Sequence, residues 1–591
     1  MVNEKRKLGE IPFEAHAVCE RTEGLTKVGR ARRDVLGYLG KWGATATVLG
    51  LGAETTMNSW FGRSVLQTAE AAGTVSAGVP GSSGNLPRIP ADQNPPPALE
   101  PTGTIYWVAT DGSDSNPGTE ASPLATVQKA YSVCGNNDGI YIKAGLYFGN
   151  FTWTKPNIIM RGAPGTTREQ VKIQYAEGGS GGGGRTIGFF TGTQNVQVYG
   201  ITIQAGPEPP AWVQIKNAPS GSDSDNWKLD NWRQEAVTVI GAVQNLKFIN
   251  CVFRYFYYRG IFTRNDPNNS EDWPDNMEVA YCNFYGGGWH TAGADIGLGR
   301  RAGYYHIHHN ELHSGSDGVV CHGARIGSLV EYNHVYDQYR EDGLDWKHTP
   351  DTNPNLPSGH RTVLRYNIIH NCGYQAVTVQ RNTRRIDVYA NLIYGNGVTG
   401  GVSSSIWINA LRISTDGPYQ TQDVRIWNND IFNSTGSGLS VNLGVDSHYP
   451  RDIIVENNRI YDNARYGIHI TRGRNISVRD NILSNNAGGN GTNGAQYLNN
   501  VPSETDSDKN TVYLPSGAFR WGESGGSALV LSQWQSLFRK DLNSTELPGR
   551  FIPFTPPAAP TQMKVTDAGG FRGAERFIEN VSRRRMLGLL S

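Results

Sequence analysis

The sequence predicts an all-β protein, a right-handed parallel β-helix with a capping helix at its N-terminal end. A short unit, apolar-x-x-Asn-x-apolar-aromatic, recurs between residues 248 and 483. Consecutive units are 23 to 38 residues apart, which fits a coil of about 23 residues with loops of variable length inserted. The chain of 591 residues also contains 72 glycines, as expected of a chain that turns often.

The central polar position of this unit forms a predicted ladder that runs from coil to coil. Stacked asparagines at a turn can hydrogen-bond the coils above and below, and buried cysteines can fill the same position as small apolar groups. The ladder positions are Cys251, Cys282, Asn310, Asn333, Asn367, Asn391, Asn429, Asn458 and Asn481. None of the six cysteines stands in a CxxC pair, which disfavours a zinc site or a disulfide framework.

The N-terminal part of the chain reads as a targeting segment. Residues 1–72 resemble a twin-arginine export signal, because Arg32-Arg33 precedes an apolar run (44–53) and a small-residue cleavage site, Ala69-Glu70-Ala71. The resemblance implies a secreted or cell-surface protein. The alternative is a basic N-terminal arm or an attachment segment. Beyond this arm, no apolar run is long enough to span a bilayer.

Three further segments follow. Residues 73–103 are rich in Gly, Ser and Pro and predict a flexible linker. Residues 104–488 predict the β-helix, with a helix that begins at Ser122 as N-cap and Pro123 and runs to about Tyr131. Residues 489–591 predict a C-terminal cap and tail, with an apolar helical pattern over 527–538 packed against the final coil.

The net charge disfavours nucleic acid as a partner, and the positions of the histidines favour a polar cleft in one third of the chain. The net charge is +1, from 54 basic and 53 acidic residues, which disfavours nucleic acid as a partner. Twelve of the 13 histidines lie between His290 and His469. Histidine can simply be tolerated on a wet sheet face, but this crowding favours a polar cleft.

Strands that follow the ladder turns can be aligned on a small leading residue, and alternation then assigns their faces. Val319, Cys321, Leu344, Trp346, Val377 and Val379 are expected to point inwards. Stacked coils are about 4.8 Å apart. We therefore expect His322, Lys347 and Gln380 to form one outward row, with Asp345 next to Lys347.

Four carboxylates fall on two of these coils: Asp317, Glu341, Asp342 and Asp345. They repel one another unless a cation lies among them, and oxygen ligands in a flexible turn suit Ca²⁺. Asp317 and Asp342 each precede a glycine and could be simple Asx-turn residues. That reading does not account for Glu341 or Asp345, so a calcium site is predicted.

Two enzyme families resemble this stretch. Asp317-Gly318, followed 24 residues after Asp317 by Glu341-Asp342-Gly343-Leu344-Asp345, resembles the calcium motif of family 9 pectate lyases. The resemblance implies Ca²⁺ held by these four carboxylates. That family places its catalytic lysine where this chain has Thr378, so the lysine role is not carried over to that position.

The second resemblance supplies a base. Asp342-x-x-x-x-Lys347 followed by Gln375 to Arg381 is similar to the alginate and chondroitin lyases of family 6. It implies that Lys347 is the catalytic base and that Arg381 assists it. This chain departs from that pattern in having Asp342 in place of glutamate and in the inserted loop from Pro350 to His360.

These residues suit β-elimination of a uronic acid polymer such as pectate or alginate. Ca²⁺ or Arg381 would neutralise the charge that builds up on the acid group. Lys347 could act as the base if a nearby cation lowers its pKa, whereas pairing with Asp345 would raise it. His322 is a second candidate acid or base. Outward aromatic residues could stack on sugar rings: Trp289, Tyr304, Tyr339 and Trp407.

Two alternatives remain open. The first is a glycoside hydrolase that draws its acid and base from Asp295, Asp342 and Asp345. The second is a non-catalytic adhesin or virion spike that binds glycans. A parallel β-helix can carry all three functions, so the fold does not choose among them. A mannuronan epimerase is disfavoured because the D-P-H-D signature of that family is absent.

Overall fold

The computed structural model describes most of the chain after residue 94. The described ranges are 95–175, 184–208, 235–266, 272–288, 293–299, 303–323, 326–348, 360–399, 404–410, 421–442, 449–486, 496–514, 521–522, 529–549 and 551. The predicted export signal, the first part of the linker, the tail after 551, Trp289 and residues 350–359 of the inserted loop lie outside them.

Three parallel sheets of 14, 13 and 14 strands, counted over the described ranges, wind into a parallel β-helix. The crossovers between parallel strands take the usual right-handed course. Each coil contributes one strand to sheet 1, then a short one to sheet 3, then one to sheet 2. The predicted fold class is confirmed.

Strands are numbered in chain order. Sheet 1 contains β1 (Ile105–Val108), β2 (Gly139–Ile142), β5 (Ile159–Gly162), β8 (Gln194–Tyr199), β11 (Gln244–Ile249), β14 (Met277–Ala280), β17 (Tyr305–His308), β20 (Leu329–Glu331), β23 (Thr362–Arg365), β26 (Arg384–Tyr389), β29 (Gln422–Trp427), β32 (Arg451–Glu456), β35 (Arg474–Arg479) and β38 (Thr505–Asp508). Sheet 2 contains β4 (Phe151–Trp153), β7 (Arg185–Phe190), β10 (Glu235–Ile240), β13 (Arg259–Arg264), β16 (Ala294–Leu298), β19 (Asp317–His322), β22 (Leu344–Lys347), β25 (Val377–Gln380), β28 (Ser404–Asn409), β31 (Ser437–Asn442), β34 (Ile468–Ile470), β37 (Tyr497–Asn499) and β40 (Trp521–Gly522). Sheet 3 contains β3 (Gly145–Gly149), β6 (Val171–Tyr175), β9 (Thr202–Gln204), β12 (Val252–Arg254), β15 (Asn283–Tyr285), β18 (Glu311–His313), β21 (His334–Tyr336), β24 (Ile368–His370), β27 (Leu392–Tyr394), β30 (Asp430–Phe432), β33 (Arg459–Tyr461), β36 (Ile482–Ser484), β39 (Thr511–Leu514) and β41 (Thr545–Pro548).

The predicted ladder lies in the turn between sheet 1 and sheet 3, with every rung at most 3% exposed. Asn367 is typical of its rungs. Its amide oxygen accepts from the backbone nitrogen and the amide of Asn333, both at 3.0 Å, and its own amide donates to Asn391 Oδ1 at 3.0 Å. The residue before each rung is left-handed, with φ between 54° and 57°. The ladder also gains a rung that the sequence did not predict, because Asn481 bonds Asn510.

A second, shorter ladder stacks in the turn between sheet 3 and sheet 2. The backbone nitrogen of Ser434 donates to Asn463 Oδ1 at 3.0 Å, and that of Asn463 donates to Asn486 Oδ1 at 3.2 Å. The backbone nitrogen of Cys372 donates to Asn396 Oδ1 at 3.0 Å in the same way. Two corners of the coil are therefore held by stacked amides. The five described cysteines are all buried, and no disulfide joins any of them to another described cysteine.

The N-terminal helix α1 (Val127–Val133) begins later than predicted. Its N-cap is Thr126, whose side chain accepts from Lys129 N at 3.1 Å. Pro123 cannot open the helix because its carbonyl accepts hydrogen bonds from Ser113 N and Asn116 Nδ2 in the preceding turn. Val127, Ala130 and Tyr131 of α1 are buried in the core beside β1, β2 and β3.

The first strand, β1, begins at Ile105, one residue after the predicted start of the β-helix at residue 104. Leu99, in the predicted linker, donates its backbone N–H to Gln197 Oε1 at 2.8 Å, and Glu100 pairs with Arg161. At the other end the sheets continue past residue 488 into β37 to β41. The sequence repeat is not recognisable there because long insertions separate the strands. Helix α2 (Leu531–Phe538) buries Trp534 against Tyr497 of β37. Within the described ranges, no helix is long and apolar enough to cross a membrane.

The predicted faces of the sheet 2 strands are confirmed. Val319, Cys321, Leu344, Trp346, Val377 and Val379 are fully buried in the core. Each such side chain contributes roughly 1.5–3 kcal/mol through its burial. Their neighbours along each strand face outwards and carry the polar groups described below.

We predict that Asn367→Ala lowers the free energy of unfolding by about 3 kcal/mol. The substitution leaves buried partners on two neighbouring coils unpaired, each at a cost of about 1–3 kcal/mol. Denaturant unfolding followed by circular dichroism measures the loss. The control is Gln244→Ala at an exposed position of β11, which is expected to change stability by less than about 0.5 kcal/mol. Equal losses in the two variants would contradict the role of the ladder.

Candidate functional site

The candidate site lies on the outward face of sheet 2, where β19, β22 and β25 are neighbours. In the sheet register His322 lies beside Lys347, and Lys347 beside Gln380. The adjacent row contains Val320, Asp345 and Thr378. The predicted outward row is therefore confirmed. Lys347 and His322 remain partly accessible, whereas Asp345 is 2% exposed.

Asp345 is fully engaged by side chains of the site. Its Oδ2 contacts Lys347 Nζ in an ion pair, and its Oδ1 accepts a hydrogen bond from Gln380 Nε2 at 3.0 Å. Burial by itself lowers the pKa of Lys347. The neighbouring carboxylates Asp345 and Asp317 outweigh it and raise the pKa above its ordinary value. Lys347 therefore carries a firmly held positive charge, which makes it a poor base.

Asp317 and Asp342 stand at the turn edge of the same two coils and are also buried. Asp317 Oδ1 accepts from the backbone nitrogen of Asp342 at 2.8 Å. Asp342 in turn accepts from Gln375 N at 2.9 Å and from the hydroxyl of Thr378 at 2.6 Å. The two carboxyls thus link three successive coils, whereas an Asx-turn residue would bond its own backbone two residues further on.

Burial governs the protonation of the carboxyl groups at this edge. Burial raises the pKa of Asp317 and Asp342 well above the usual range, and the surrounding carboxylates raise both further. Burial also raises the pKa of Glu341 to about 7, although Lys347 opposes the shift. Glu341 is the partly exposed member of this group. At neutral pH this edge either holds protons or needs another cation.

In this conformation, groups of the protein itself engage several oxygens of the predicted calcium set. Asp345 is committed to Lys347 and Gln380, and both oxygens of Asp342 already accept hydrogen bonds. Among the described residues, the acidic, histidine and cysteine groups that bring three ligand atoms within 4.8 Å do not include these four. The calcium requirement stays a prediction.

The surroundings of His322 favour its neutral imidazole form. Burial lowers its pKa well below 6.5, and the positive charges of Lys347, Arg259 and Arg381 lower it further. A neutral ring nitrogen can accept a proton, which Lys347 in its charged form cannot. The face therefore places a neutral acceptor next to a cation.

Arg381 lies where β25 ends, so it borders the same row. Its backbone is left-handed, with φ of 52°, and its carbonyl accepts from His348 N at 2.9 Å. Its charge lowers the pKa of His322 and also that of Lys347. Arg381, on the third coil, is thus close enough for its charge to act on both His322 and Lys347.

Arg259 belongs to this environment and was missed at the sequence level. It lies on β13, two coils before β19, and is 6% exposed between the rings of Tyr258 and Phe262. It fits because Gly297 has no side chain, and a Cβ there would lie 2.3 Å from Arg259 Cδ. A glycine at an outward strand position was the signal available in the sequence.

Asp295 occupies the interior. It lies in the row of Gly260 and Gly318, a position that small residues otherwise fill, and it is fully buried. Its Oδ2 accepts from Gln338 Nε2 at 2.7 Å, and burial raises its pKa well above the usual range. A buried group of this kind cannot reach a polymer, so Asp295 is wrong as a hydrolase candidate.

The aromatic residues predicted to stack on sugar rings lie in different parts of the structure. Trp407 lies beside Thr378, so it continues the row of Val320, Asp345 and Thr378, and it is partly exposed. Tyr339 lies in the segment between β21 and β22 that precedes the site strand. Tyr304 adjoins β17 of sheet 1, so it does not belong to this face. Trp289 lies outside the described residues.

Most of the described histidines also lie away from the site. His313 and His370 belong to a column of parallel rings along sheet 3, with centroids 4.6–5.7 Å apart. Its members are Tyr285, His313, Tyr336, His370, Tyr394, Phe432 and Tyr461. His306 and His308 lie on sheet 1. The expectation that histidine crowding marks one cleft is therefore wrong, because the repeat distributes these residues over three sheets.

The comparisons with known proteins agree with the fold. Residues 418–512 match the family model for a right-handed β-helix region. No curated protein matches the sequence significantly.

Several solved structures are similar to this chain. The A-module of mannuronan C-5 epimerase AlgE4 from Azotobacter vinelandii is 14% identical over 76% of this chain and 98% of that one, with a TM-score of 0.38. The catalytic domain of a GH87 α-1,3-glucanase in complex with nigerose is 13% identical over 76% and 69%, with a TM-score of 0.44. An alginate lyase from Paenibacillus sp. str. FPU-7 is 11% identical over 58% and 94%, with a TM-score of 0.34. At these identities and TM-scores the similarities carry no argument about activity.

Proposed function

We propose that this protein is a polysaccharide lyase that cleaves a uronic acid polymer by β-elimination on the outward face of sheet 2. The observation that carries the proposal is the in-register row of β19 and β22, where neutral His322 lies next to cationic Lys347. The family resemblances of this stretch point to the same reaction.

The chemistry assigns a role to each group. His322 takes the proton from the carbon next to the uronate carboxylate, and the electron pair of that C–H bond forms the new double bond. The glycosidic C–O bond breaks, and its oxygen is protonated by the imidazolium or by water. Lys347 and Arg381 neutralise the charge that builds up on the carboxylate. This proposal moves the base from Lys347 to His322, because ion pairing with Asp345 keeps Lys347 charged.

We predict that His322→Ala and Lys347→Met each lower kcat/KM by at least about a hundredfold. Loss of a general base typically costs 10² to 10⁴ in rate, and loss of a charge partner costs a similar factor. The assay is ultraviolet absorbance of unsaturated products from pectate, alginate and chondroitin. The control is His469→Ala on β34 of the same sheet, which is expected to retain activity.

The two possible bases can be told apart. Full activity in His322→Ala together with none in Lys347→Met would return the base role to Lys347. Binding of these polymers without any cleavage, in the wild type as in the variants, would favour the adhesin.

We predict that kcat/KM stays flat as the pH falls through 6.5 and declines only well below it. His322 must be neutral to accept a proton, and its lowered pKa keeps it neutral through that range. Arg259→Met removes a positive charge that opposes protonation, so the acidic limb should move to higher pH. A pH–rate profile of each protein measures both effects. An unchanged limb in Arg259→Met would argue against His322 as the titrating group.

The second candidate is a glycoside hydrolase, favoured by Glu341. Its pKa of about 7 and its partial exposure suit a general acid. This reaction forms new reducing ends without unsaturated products. Reducing ends that disappear in Glu341→Gln, with no ultraviolet signal on any of the three polymers, would replace the lyase by the hydrolase.

The calcium prediction is tested in the same assay. If Ca²⁺ assists the reaction through Asp317, Glu341, Asp342 and Asp345, EDTA lowers the rate at least about tenfold and added Ca²⁺ restores it. Asp317→Asn should then lose the response to Ca²⁺. Activity that is identical with EDTA and with Ca²⁺ would contradict a calcium requirement and leave Lys347 and Arg381 as the neutralising groups.

A further inference from the structure

A second polar cluster lies on the outward face of sheet 1, on strands separate from the candidate catalytic face. Glu278 of β14 and two histidines of β17, His306 and His308, each offer a ligand atom, and these atoms lie within 4.8 Å of one another. We propose that these three residues bind a transition-metal ion of the Zn²⁺ type. The site is independent of the proposed lyase activity.

Glu278 is oriented for this role by its two oxygens. Oε2 pairs with Lys247 Nζ of the preceding coil at 2.7 Å, which holds the carboxylate in place. Oε1 faces His308 Nε2 at 3.1 Å. Ala280 lies directly beside His308 in the register, so a small side chain flanks the imidazole on that strand. One carboxylate oxygen and one ring nitrogen therefore converge on the same point.

His306 brings the third ligand and links the cluster to the next coil. Its ring centroid is 3.9 Å from that of His308, and its Nε2 is 3.1 Å from Glu331 Oε1 on β20. Glu331 Oε2 is in turn held by Arg365 Nε at 2.7 Å. A carboxylate that accepts from one imidazole nitrogen leaves the other nitrogen free to coordinate, an arrangement common around metal-bound histidine.

His309 orients His308 from the other side. The Nδ1 atoms of the two residues are 2.8 Å apart, so one of them carries a proton and the other accepts it. With the proton on His308 Nδ1, its Nε2 presents a lone pair towards Glu278. The ring of His309 is itself fixed between Tyr281 and Tyr332, with centroids 4.8 and 5.0 Å away. Without a metal, His308 Nε2 shares its proton with Glu278; coordination would move the proton of His308 to Nδ1, where His309 Nδ1 can accept it.

The ligand set selects the class of metal. Two imidazole nitrogens and one carboxylate suit Zn²⁺, Co²⁺ or Ni²⁺, whereas Ca²⁺ prefers oxygen ligands alone. The charges also suit a bound cation, because Glu278 and Glu331 face the histidines while Lys247 and Arg365 stand at the rim. Such an ion would hold β14 to β17 and therefore stabilise two successive coils.

The test uses the full chain, stripped of metal and titrated with Zn²⁺ alone by calorimetry. We expect one tightly bound equivalent, with an affinity that falls at least about tenfold in His306→Ala, His308→Ala and Glu278→Gln. Zn²⁺ should also raise the midpoint of thermal unfolding of the wild type but not of these variants. Ca²⁺ at the same concentration should do neither.

The matched control is His313→Ala, a histidine of the ring column on sheet 3, which should bind Zn²⁺ like the wild type. Co²⁺ provides a further test. Its visible absorption spectrum should change when it binds to the nitrogen and oxygen ligands of this site. Zn²⁺ binding that is equal in the wild type and in the His306→Ala/His308→Ala double variant would overturn the site, as would no binding at all. Failure of the lyase assay would leave this result untouched.

Discussion

The stacked amide ladder is the interaction on which the rest of this structure depends. The amide oxygen of each buried asparagine accepts from both the backbone and the side chain of the preceding rung, and the residue before each asparagine adopts a left-handed backbone that costs about 1 kcal/mol or more. A slip by one residue would break these bonds and would also turn every core side chain to solvent. The ladder therefore sets the register, and the register decides which side chains from distant parts of the chain become neighbours on a face.

The candidate site is governed by the cost of burying charge. Asp345 is tolerated because Lys347 and Gln380 satisfy it, whereas burial raises the pKa values of Asp317, Asp342 and Glu341. Burial also favours the neutral form of His322, and the positive charges of Lys347, Arg259 and Arg381 act in the same direction. Opposite protonation states on adjacent residues are useful for catalysis, because one group can accept a proton while the other stabilises negative charge.

The faces of the β-helix carry different chemistry because each sheet repeats its own outward pattern. Sheet 2 presents the carboxylates, lysine and arginines, sheet 1 presents the glutamates and paired histidines, and sheet 3 presents a column of stacked rings. Histidine consequently has three roles in one chain: a neutral acceptor, a candidate metal ligand and a stacking ring. Its role follows from the sheet on which it lies and from the neighbouring coils.

The sequence by itself determined the fold, the main ladder and the row of His322, Lys347 and Gln380. These follow from a short-range pattern of residues that recurs in successive coils. Only the tertiary structure decided that Asp345 forms an ion pair with Lys347 and that Asp295 points into the interior. It also decided that the Arg259 side chain passes over Gly297 to reach the site. It also placed the start of α1, where a distant turn takes the carbonyl of Pro123. Those outcomes depend on contacts between coils that are separated by loops of irregular length, and no local pattern records them.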